Sequence, residues 1–139
     1  MKHYLFDASA FIFLIKKADV QTTFQHLQKS LILDLTVYEI GNMLLKESRL
    51  TKFLTPNEIE TLEKVTQLVL SRTEKILNQP VTFQQIMDIA KTENLSFYDS
   101  SYIYFAKQKN IQLITEDQKL RDKAKNYVQA QTTLALLSA

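Results

Sequence analysis

The chain opens with the run Tyr4-Leu5-Phe6-Asp7-Ala8-Ser9-Ala10-Phe11-Ile12, in which one carboxylate separates two apolar segments. Residues 3–7 have the composition of a short buried strand, and residues 9–17 that of a buried helix ending in two lysines. A charge buried here without a partner would cost several kcal/mol. Asp7 therefore either meets a cation or caps the following helix at a sheet edge, and acids near other strand ends favour the cation.

Strand-like apolar runs alternate with helical patterns along the rest of the chain. Further strands are predicted at 31–35, 111–114 and 127–131, and helices at 20–29, 36–50, 56–78, 82–94, 96–109 and 117–126. This alternation predicts right-handed βαβ units, and hence an α/β fold whose small, mainly parallel sheet of four or five strands is covered on both faces. At 139 residues without linkers or repeats, we expect one domain spanning 1–139.

The composition excludes several classes of chemistry. The chain has no cysteine, which excludes disulfides, thiolate metal sites and cysteine nucleophiles, and which fits a reducing cytoplasm. Its single glycine, Gly41, excludes the glycine-rich loops that cradle nucleotide phosphates. The net charge of +2 is too small to indicate a nucleic-acid partner by itself. Asp7 interrupts the apolar N-terminal segment, which is also too short to span a bilayer, so we expect neither secretion nor membrane insertion.

Four carboxylates stand beside predicted helix starts, and three of them follow a predicted strand: Asp7, Glu39, Asp99 and Asp117. The carboxyl ends of parallel strands meet at one edge of a sheet, so these acids are expected to share a small pocket. Two carboxylates about 4 Å apart repel by roughly 4 kcal/mol at an effective dielectric near 20, so such a cluster must share protons or bind a cation. Oxygen ligands suit Mg²⁺ or Mn²⁺, and the implied chemistry is phosphodiester hydrolysis.

Helix capping is the alternative explanation for these acids, because a carboxylate in the first turn binds free backbone N–H groups. Thr36-x-x-Glu39 has the spacing of a capping box, and Thr55-x-x-Glu58 shows the same spacing with no strand before it. For Glu39 and Asp117 taken singly, capping and metal binding both stay open. Asp99 stands above a largely apolar helix face, which favours an inward orientation.

A polar stripe follows Glu39 along its predicted helix. Asn42, Lys46 and Arg49 lie within about 80° of Glu39 at 100° per residue. Basic side chains in this position can hold the phosphates of a nucleic acid entering the site. An ordinary solvated helix face gives the same pattern.

Four segments of the chain resemble the motifs of PIN-domain ribonucleases. They are Phe6-Asp7-Ala8-Ser9-Ala10, Glu39-x-x-Asn42, Tyr98-Asp99-Ser100-Ser101-Tyr102 and Leu113-Ile114-Thr115-Glu116-Asp117-Gln118-Lys119-Leu120. Their order and spacing cover essentially the whole chain, and its small size is similar to that of the VapC-type toxins of toxin–antitoxin pairs. The resemblance implies a single PIN-like α/β/α domain of three layers over residues 1–139.

The same resemblance implies a site and partners. Asp7, Glu39, Asp99 and Asp117 would hold Mg²⁺ or Mn²⁺ for endonucleolytic cleavage of RNA, with Ser9, Asn42 and Thr115 as polar support, and with Lys46 and Arg49 on the substrate. Family members commonly form homodimers, and in the VapC branch a small antitoxin blocks the groove. The chain departs from the family in its scarcity of glycine and in carrying Thr115 where some members have a further acid, which leaves one or two metal ions open.

Other functions compete with a toxin nuclease. A catalytically silent PIN-like module that binds nucleic acid or protein would keep the acids only as caps, and a housekeeping RNA-processing nuclease would share the chemistry without the antitoxin. Phosphotransfer to Asp7 is disfavoured because Ser9 stands where aspartyl-phosphate enzymes usually carry a second acid. Tyr98 and Tyr102 offer stacking surfaces for bases, although core packing is the preferred interpretation of both.

Overall fold

A parallel sheet of five strands forms the centre of the molecule. The computed structural model describes residues 1–50 and 53–139. The strands are β1 (Tyr4–Phe6), β2 (Ser30–Leu33), β3 (Glu74–Ile76), β4 (Gln112–Ile114) and β5 (Ala130–Gln131), in the order β3-β2-β1-β4-β5. Every neighbouring pair is parallel, which confirms the predicted α/β class and sheet size.

Helices cover both faces of this sheet. They are α1 (Ala8–Lys17), α2 (Val20–Leu27), α3 (Asp34–Leu50), α4 (Pro56–Ser71), α5 (Phe83–Glu93), α6 (Phe97–Lys109), α7 (Gln118–Ala124) and α8 (Thr133–Leu137), with a short 3₁₀ turn at Pro80–Thr82. In the described part of the chain, no helix has the length and apolarity needed to cross a bilayer.

The strands divide their side chains between two cores, as the two-residue period of a strand requires. Leu5 and Leu113 pack with residues of α5, α6 and α7. Phe6 and Ile114 pack with residues of α1 to α4 and α8 on the opposite face. The result is the predicted three-layer arrangement, and the central strands are buried on both sides.

The beginning of α3 differs from the prediction. The helix starts at Asp34, directly after β2, so the predicted capping box between Thr36 and Glu39 is wrong. The Thr36 hydroxyl instead accepts a hydrogen bond from the Leu33 N–H group at 3.0 Å, inside the first turn. Glu39 consequently lies in the second turn of α3, beyond the backbone groups that an N-cap serves.

The segment after α4 also differs from the prediction. The helix ends at Ser71 rather than near Asn78, and residues 74–76 form β3 at the edge of the sheet. The exposed Glu74 and Lys75 give this strand no apolar alternation, and its pairing with β2 therefore left no signal in the sequence. The predicted last strand is shorter than expected, and α8 follows it.

Candidate active site

The carboxyl ends of β1 and β4 lie side by side at the centre of the sheet. The Asp7 N–H group bonds the Ile114 carbonyl at 3.1 Å, which places Asp7 beside Thr115. Strand order reverses between β1 and β4, because the chain builds outward from β1 in one direction and from β4 in the other. Crevices at such reversals are the usual ligand sites of open α/β sheets.

Three hydrogen bonds hold the buried Asp7 carboxylate. Oδ1 accepts from the Ser9 hydroxyl at 2.7 Å and from the Ala10 N–H group at 2.9 Å, and Oδ2 accepts from the Thr115 hydroxyl. Ser9 and Thr115 in turn accept backbone N–H bonds from residues 116 and 117, at 3.0 and 3.1 Å. Both hydroxyls are thereby oriented with their protons toward Asp7.

Asp7 is difficult to ionise in this position. Burial raises the pKa of its carboxyl from an ordinary 3.8 to about 6, and the negative charge of Glu39 adds to that rise. The hydrogen bonds from Thr115, Ser9 and Ala10 lower the pKa but do not overcome burial. Asp7 caps α1 through Ala10, so capping does explain one of its bonds. Capping alone does not require the carboxylate to be buried.

Glu39 reaches the site from the second turn of α3. Its Oε1 atom accepts a 2.6 Å hydrogen bond from the hydroxyl of Tyr102 on α6. Partial burial raises the pKa of the Glu39 carboxyl, the Tyr102 bond lowers it, and the charge of Asp99 raises it further. Burial likewise raises the pKa of Tyr102, helped by the Glu39 charge, and the phenol stays a neutral donor.

Asp99 and Asp117 complete the acidic group. Half-burial raises the pKa of Asp99, the charge of Asp117 adds to the rise, and Lys119 and a hydrogen bond with Ser96 oppose it. Asp117 is exposed and caps α7, because its Oδ1 accepts from the Leu120 N–H group at 3.0 Å. The charges of the acids therefore interact in a row: Asp7 with Glu39, Glu39 with Asp99, and Asp99 with Asp117.

The other predicted site residues fall into two groups, those that contact Asp7 and those that are exposed along α3. Ser9 and Thr115 lie against Asp7 as expected. Asn42, Lys46 and Arg49 are exposed along α3.

The two tyrosines of α6 differ in exposure. Tyr98 is 59 % exposed, so core packing is the wrong interpretation of its ring. Tyr102 is 1 % exposed and cannot stack on a base. The bond from Tyr102 to Glu39 was not predicted from the sequence. The one available signal was the offset of three residues between Asp99 and Tyr102, which places both on the same helix face.

The donor atoms in this group fit a hard divalent cation. All are oxygens, and the ion pairs of the described residues, Lys16–Glu47 and Lys64–Glu60, do not involve the four acids. Within residues 1–50 and 53–139, no three acidic or histidine side chains converge closely enough to ligate one ion together. A divalent ion such as Mg²⁺ usually takes one or two carboxylate contacts and keeps several waters, so it does not require three converging side chains.

A separate cavity of about 830 Å³ lies at the opposite edge of the sheet. The described residues that line it include Lys2, His3, Lys29 and Lys125, and none of them is an acid. It offers no carboxylates for a metal ion, and it is distant from the carboxyl ends of the strands.

The comparisons with known proteins agree on the family of this chain. The family model of the PIN domain matches residues 4–126. Exonuclease VapC9 of Pyrobaculum aerophilum is 35 % identical over 136 residues, which cover 98 % of this chain and 96 % of that protein. The crystal structure of PAE2754 from Pyrobaculum aerophilum matches at 33 % identity with a TM-score of 0.81, covering 99 % of this chain and 95 % of that one.

A more distant structure shares the fold alone. The crystal structure of FitAcB from Neisseria gonorrhoeae matches with a TM-score of 0.58 at 17 % identity, covering 94 % of this chain and 98 % of that one.

The raised pKa of Asp7 predicts an unusual pH dependence of stability in metal-free protein. Between pH 3.8 and about 6 the folded chain keeps a proton on Asp7 that the unfolded chain releases, so the free energy of unfolding falls as the pH rises through this window. The two pKa values differ by about 2, which corresponds to about 3 kcal/mol. Denaturant unfolding in EDTA at several pH values should show a larger loss in the wild type than in Asp7→Asn, which keeps only the contributions of the other acids such as Glu39 and Asp99. Parallel pH curves for the two proteins would contradict the assignment.

Proposed function

This chain is a VapC-type member of the PIN-domain family, and on that premise we propose that it is a ribonuclease dependent on Mg²⁺ or Mn²⁺. The observation that carries the proposal is the line of four carboxylates at the carboxyl edge of the sheet. Burial raises the pKa of three of them, and the charge of the next acid in the line adds to each rise. A cation offsets both the burial and the repulsion, whereas helix capping offsets neither fully. The name of the similar exonuclease VapC9 supports nuclease activity.

The proposed mechanism gives each side chain a separate task. Asp7, Glu39 and Asp99 would hold the cation, and Ser9 and Thr115 fix the direction of the Asp7 oxygens toward the edge of the sheet. The exposed Asp117 adds to the negative field beside Asp99. A bound divalent ion would supply Lewis acidity to the scissile phosphate and lower the pKa of the attacking water. The mechanism requires no protein nucleophile.

The proposed substrate is RNA cut at internal bonds. Lys46 and Arg49 are exposed on the helix that carries Glu39, and Lys119 lies close enough to Asp99 to lower its pKa. These three cations are the candidates for holding phosphates on either side of the cut. The exposure of Asp117 leaves the acidic edge open to solvent, which supports entry of a continuous strand, whereas the similar VapC9 is named an exonuclease.

The proposed biological setting is a toxin–antitoxin pair in the cytoplasm. Similarity to VapC9 favours a toxin over a housekeeping nuclease, and a small antitoxin is the partner that this role requires. We also propose a homodimer. Leu77, Val81 and Phe83 are 67 %, 76 % and 54 % exposed in and beside the segment that joins β3 to α5, and a second copy would cover them.

Substitution of two exposed N-cap residues distinguishes a catalytic role from helix capping. Asp117 caps α7 and Asp19 caps α2 through the same kind of bond, from the N–H groups of Leu120 and Thr22. Asparagine caps a helix as well as aspartate does, so Asp117→Asn and Asp19→Asn should both keep their stability. In Mn²⁺ we expect Asp117→Asn to lose about 100-fold or more of RNA cleavage, equivalent to about 3 kcal/mol, while Asp19→Asn keeps wild-type activity.

The same assay includes Asp99→Asn and an EDTA control. Asp99→Asn should lose activity at least as severely, and EDTA should abolish cleavage until Mn²⁺ is restored in excess. Full cleavage by Asp99→Asn and Asp117→Asn, in a purified sample free of other nucleases, would refute the catalytic role of these acids. A wild type that does not cleave RNA in Mn²⁺ would leave the silent binding module.

Circular RNA tests the proposed position of the cut. An enzyme that cleaves internal bonds should linearise a circular single-stranded RNA at a rate close to that for the linear RNA of identical sequence, because neither strand end is needed. Gel electrophoresis separates the two forms. Cleavage of the linear RNA alone, with mononucleotides as early products, would show an exonuclease and would correct the proposal while leaving the chemistry intact.

The proposed dimer surface has its own test. Val81→Glu places a charge on the exposed apolar segment, and we expect light scattering to change from the mass of a dimer to that of a monomer. Val20→Glu on α2, at a position that is 54 % exposed, is the matched control and should leave the mass unchanged. A monomeric wild type, or a dimer that survives Val81→Glu, would rule out this surface.

A further inference from the structure

A chain of hydrogen bonds runs from the end of β2 to the Glu39 carboxylate. The Leu33 N–H group bonds the Thr36 hydroxyl at 3.0 Å, the Thr36 hydroxyl lies 2.7 Å from the Tyr102 hydroxyl, and Tyr102 bonds Glu39 Oε1 at 2.6 Å. The chain joins three elements, because Leu33 ends β2, Thr36 and Glu39 belong to α3, and Tyr102 belongs to α6.

The direction of every proton in this chain is fixed. A phenol has one proton, and Tyr102 donates it to the carboxylate. The contact between Thr36 and Tyr102 must therefore be donated by the threonine, which in turn accepts from the Leu33 backbone. Each hydroxyl accepts one bond and donates one, so no member of the chain can turn without leaving a buried polar atom unpaired.

The burial of the two hydroxyl groups makes that arrangement rigid. Thr36 is completely buried and Tyr102 is 1 % exposed, so water cannot replace a lost partner. Glu39 is only half-buried, and without Tyr102 its side chain would be free to turn toward solvent. With Oε1 engaged by the phenol, Oε2 is the oxygen that remains for another ligand.

We propose that Tyr102, oriented by Thr36, is a positioning residue that holds Glu39 in its cation-binding orientation before the cation arrives. This inference rests on the proposed metal-dependent function, and it assigns no contact with RNA to either residue. Partners of this kind behind a ligand typically account for 10–100-fold in metal affinity or activity. The structure thus extends the site into the core, because Tyr102 also packs with Ile103 and Leu113 in one of the two cores.

The test measures Mn²⁺ affinity by calorimetry without RNA, alongside cleavage and denaturant stability. We expect Tyr102→Phe and Thr36→Val to bind Mn²⁺ about 10–100-fold more weakly than the wild type. Cleavage should recover at high Mn²⁺, and the KM for RNA at saturating Mn²⁺ should stay at the wild-type value. Thr36→Ser keeps the hydroxyl and should restore the affinity.

Tyr104→Phe is the matched control. Tyr104 lies on the same helix, and among the described residues its hydroxyl accepts one bond, at 3.4 Å from Gln108. Loss of this hydroxyl should therefore change no Mn²⁺ constant. If Tyr102→Phe does not fold, Thr36→Val against Thr36→Ser carries the test, because valine conserves the shape of threonine. A folded Tyr102→Phe or Thr36→Val that is less stable but binds Mn²⁺ as the wild type does would overturn the inference.

The measurements also separate this inference from the proposed function. A wild type that binds Mn²⁺ without cleaving RNA refutes the ribonuclease, and the affinities of the variants still decide the positioning role. A wild type that binds no Mn²⁺ refutes both.

Discussion

The Asp7 carboxylate is buried, and among the described residues its partners are uncharged hydrogen-bond donors. It lies between two apolar runs at the junction of β1 and β4, and its donors are two hydroxyls and one backbone N–H group. The parallel pairing of these strands brings Thr115 to Asp7 across a sequence separation of 108 residues. The rest of the site depends on this junction, because the hydroxyls of Ser9 and Thr115 also fix the backbone that leads to Asp117.

Capping a helix does not prevent an acid of this protein from serving the proposed site. Asp7 and Asp117 each cap a helix with one oxygen, as a structural explanation requires, and each also faces further acids or hydroxyls of the site. A cap places a carboxylate at the N-terminus of a helix, where the helix dipole favours negative charge. Placing several such caps at one edge of a parallel sheet concentrates negative charge there. Glu39 differs, because the early start of α3 removes it from any capping position.

The sequence was most informative where a residue's environment is local. The helix-start positions of Asp7 and Asp117 could be predicted because each residue stands beside an apolar run and caps the helix that follows. The central strands β1, β2 and β4 were found because their apolar runs are bounded by polar residues. Edge strand β3 could not be found, since Glu74 and Lys75 are exposed and resemble a helix surface.

Contacts between residues that are far apart in the sequence account for the features that the sequence did not predict. The partner of Glu39 is Tyr102, 63 residues away, and a tyrosine on an apolar helix face looks the same whether its hydroxyl is paired or free. The Asp7 hydrogen bonds all favour the charged carboxylate, yet burial and Glu39 outweigh them. The carboxylate is thus oriented for a charge that burial opposes. If a cation binds as proposed, it would complete the site without moving the donors, because the bonds that favour the charged form are already in place.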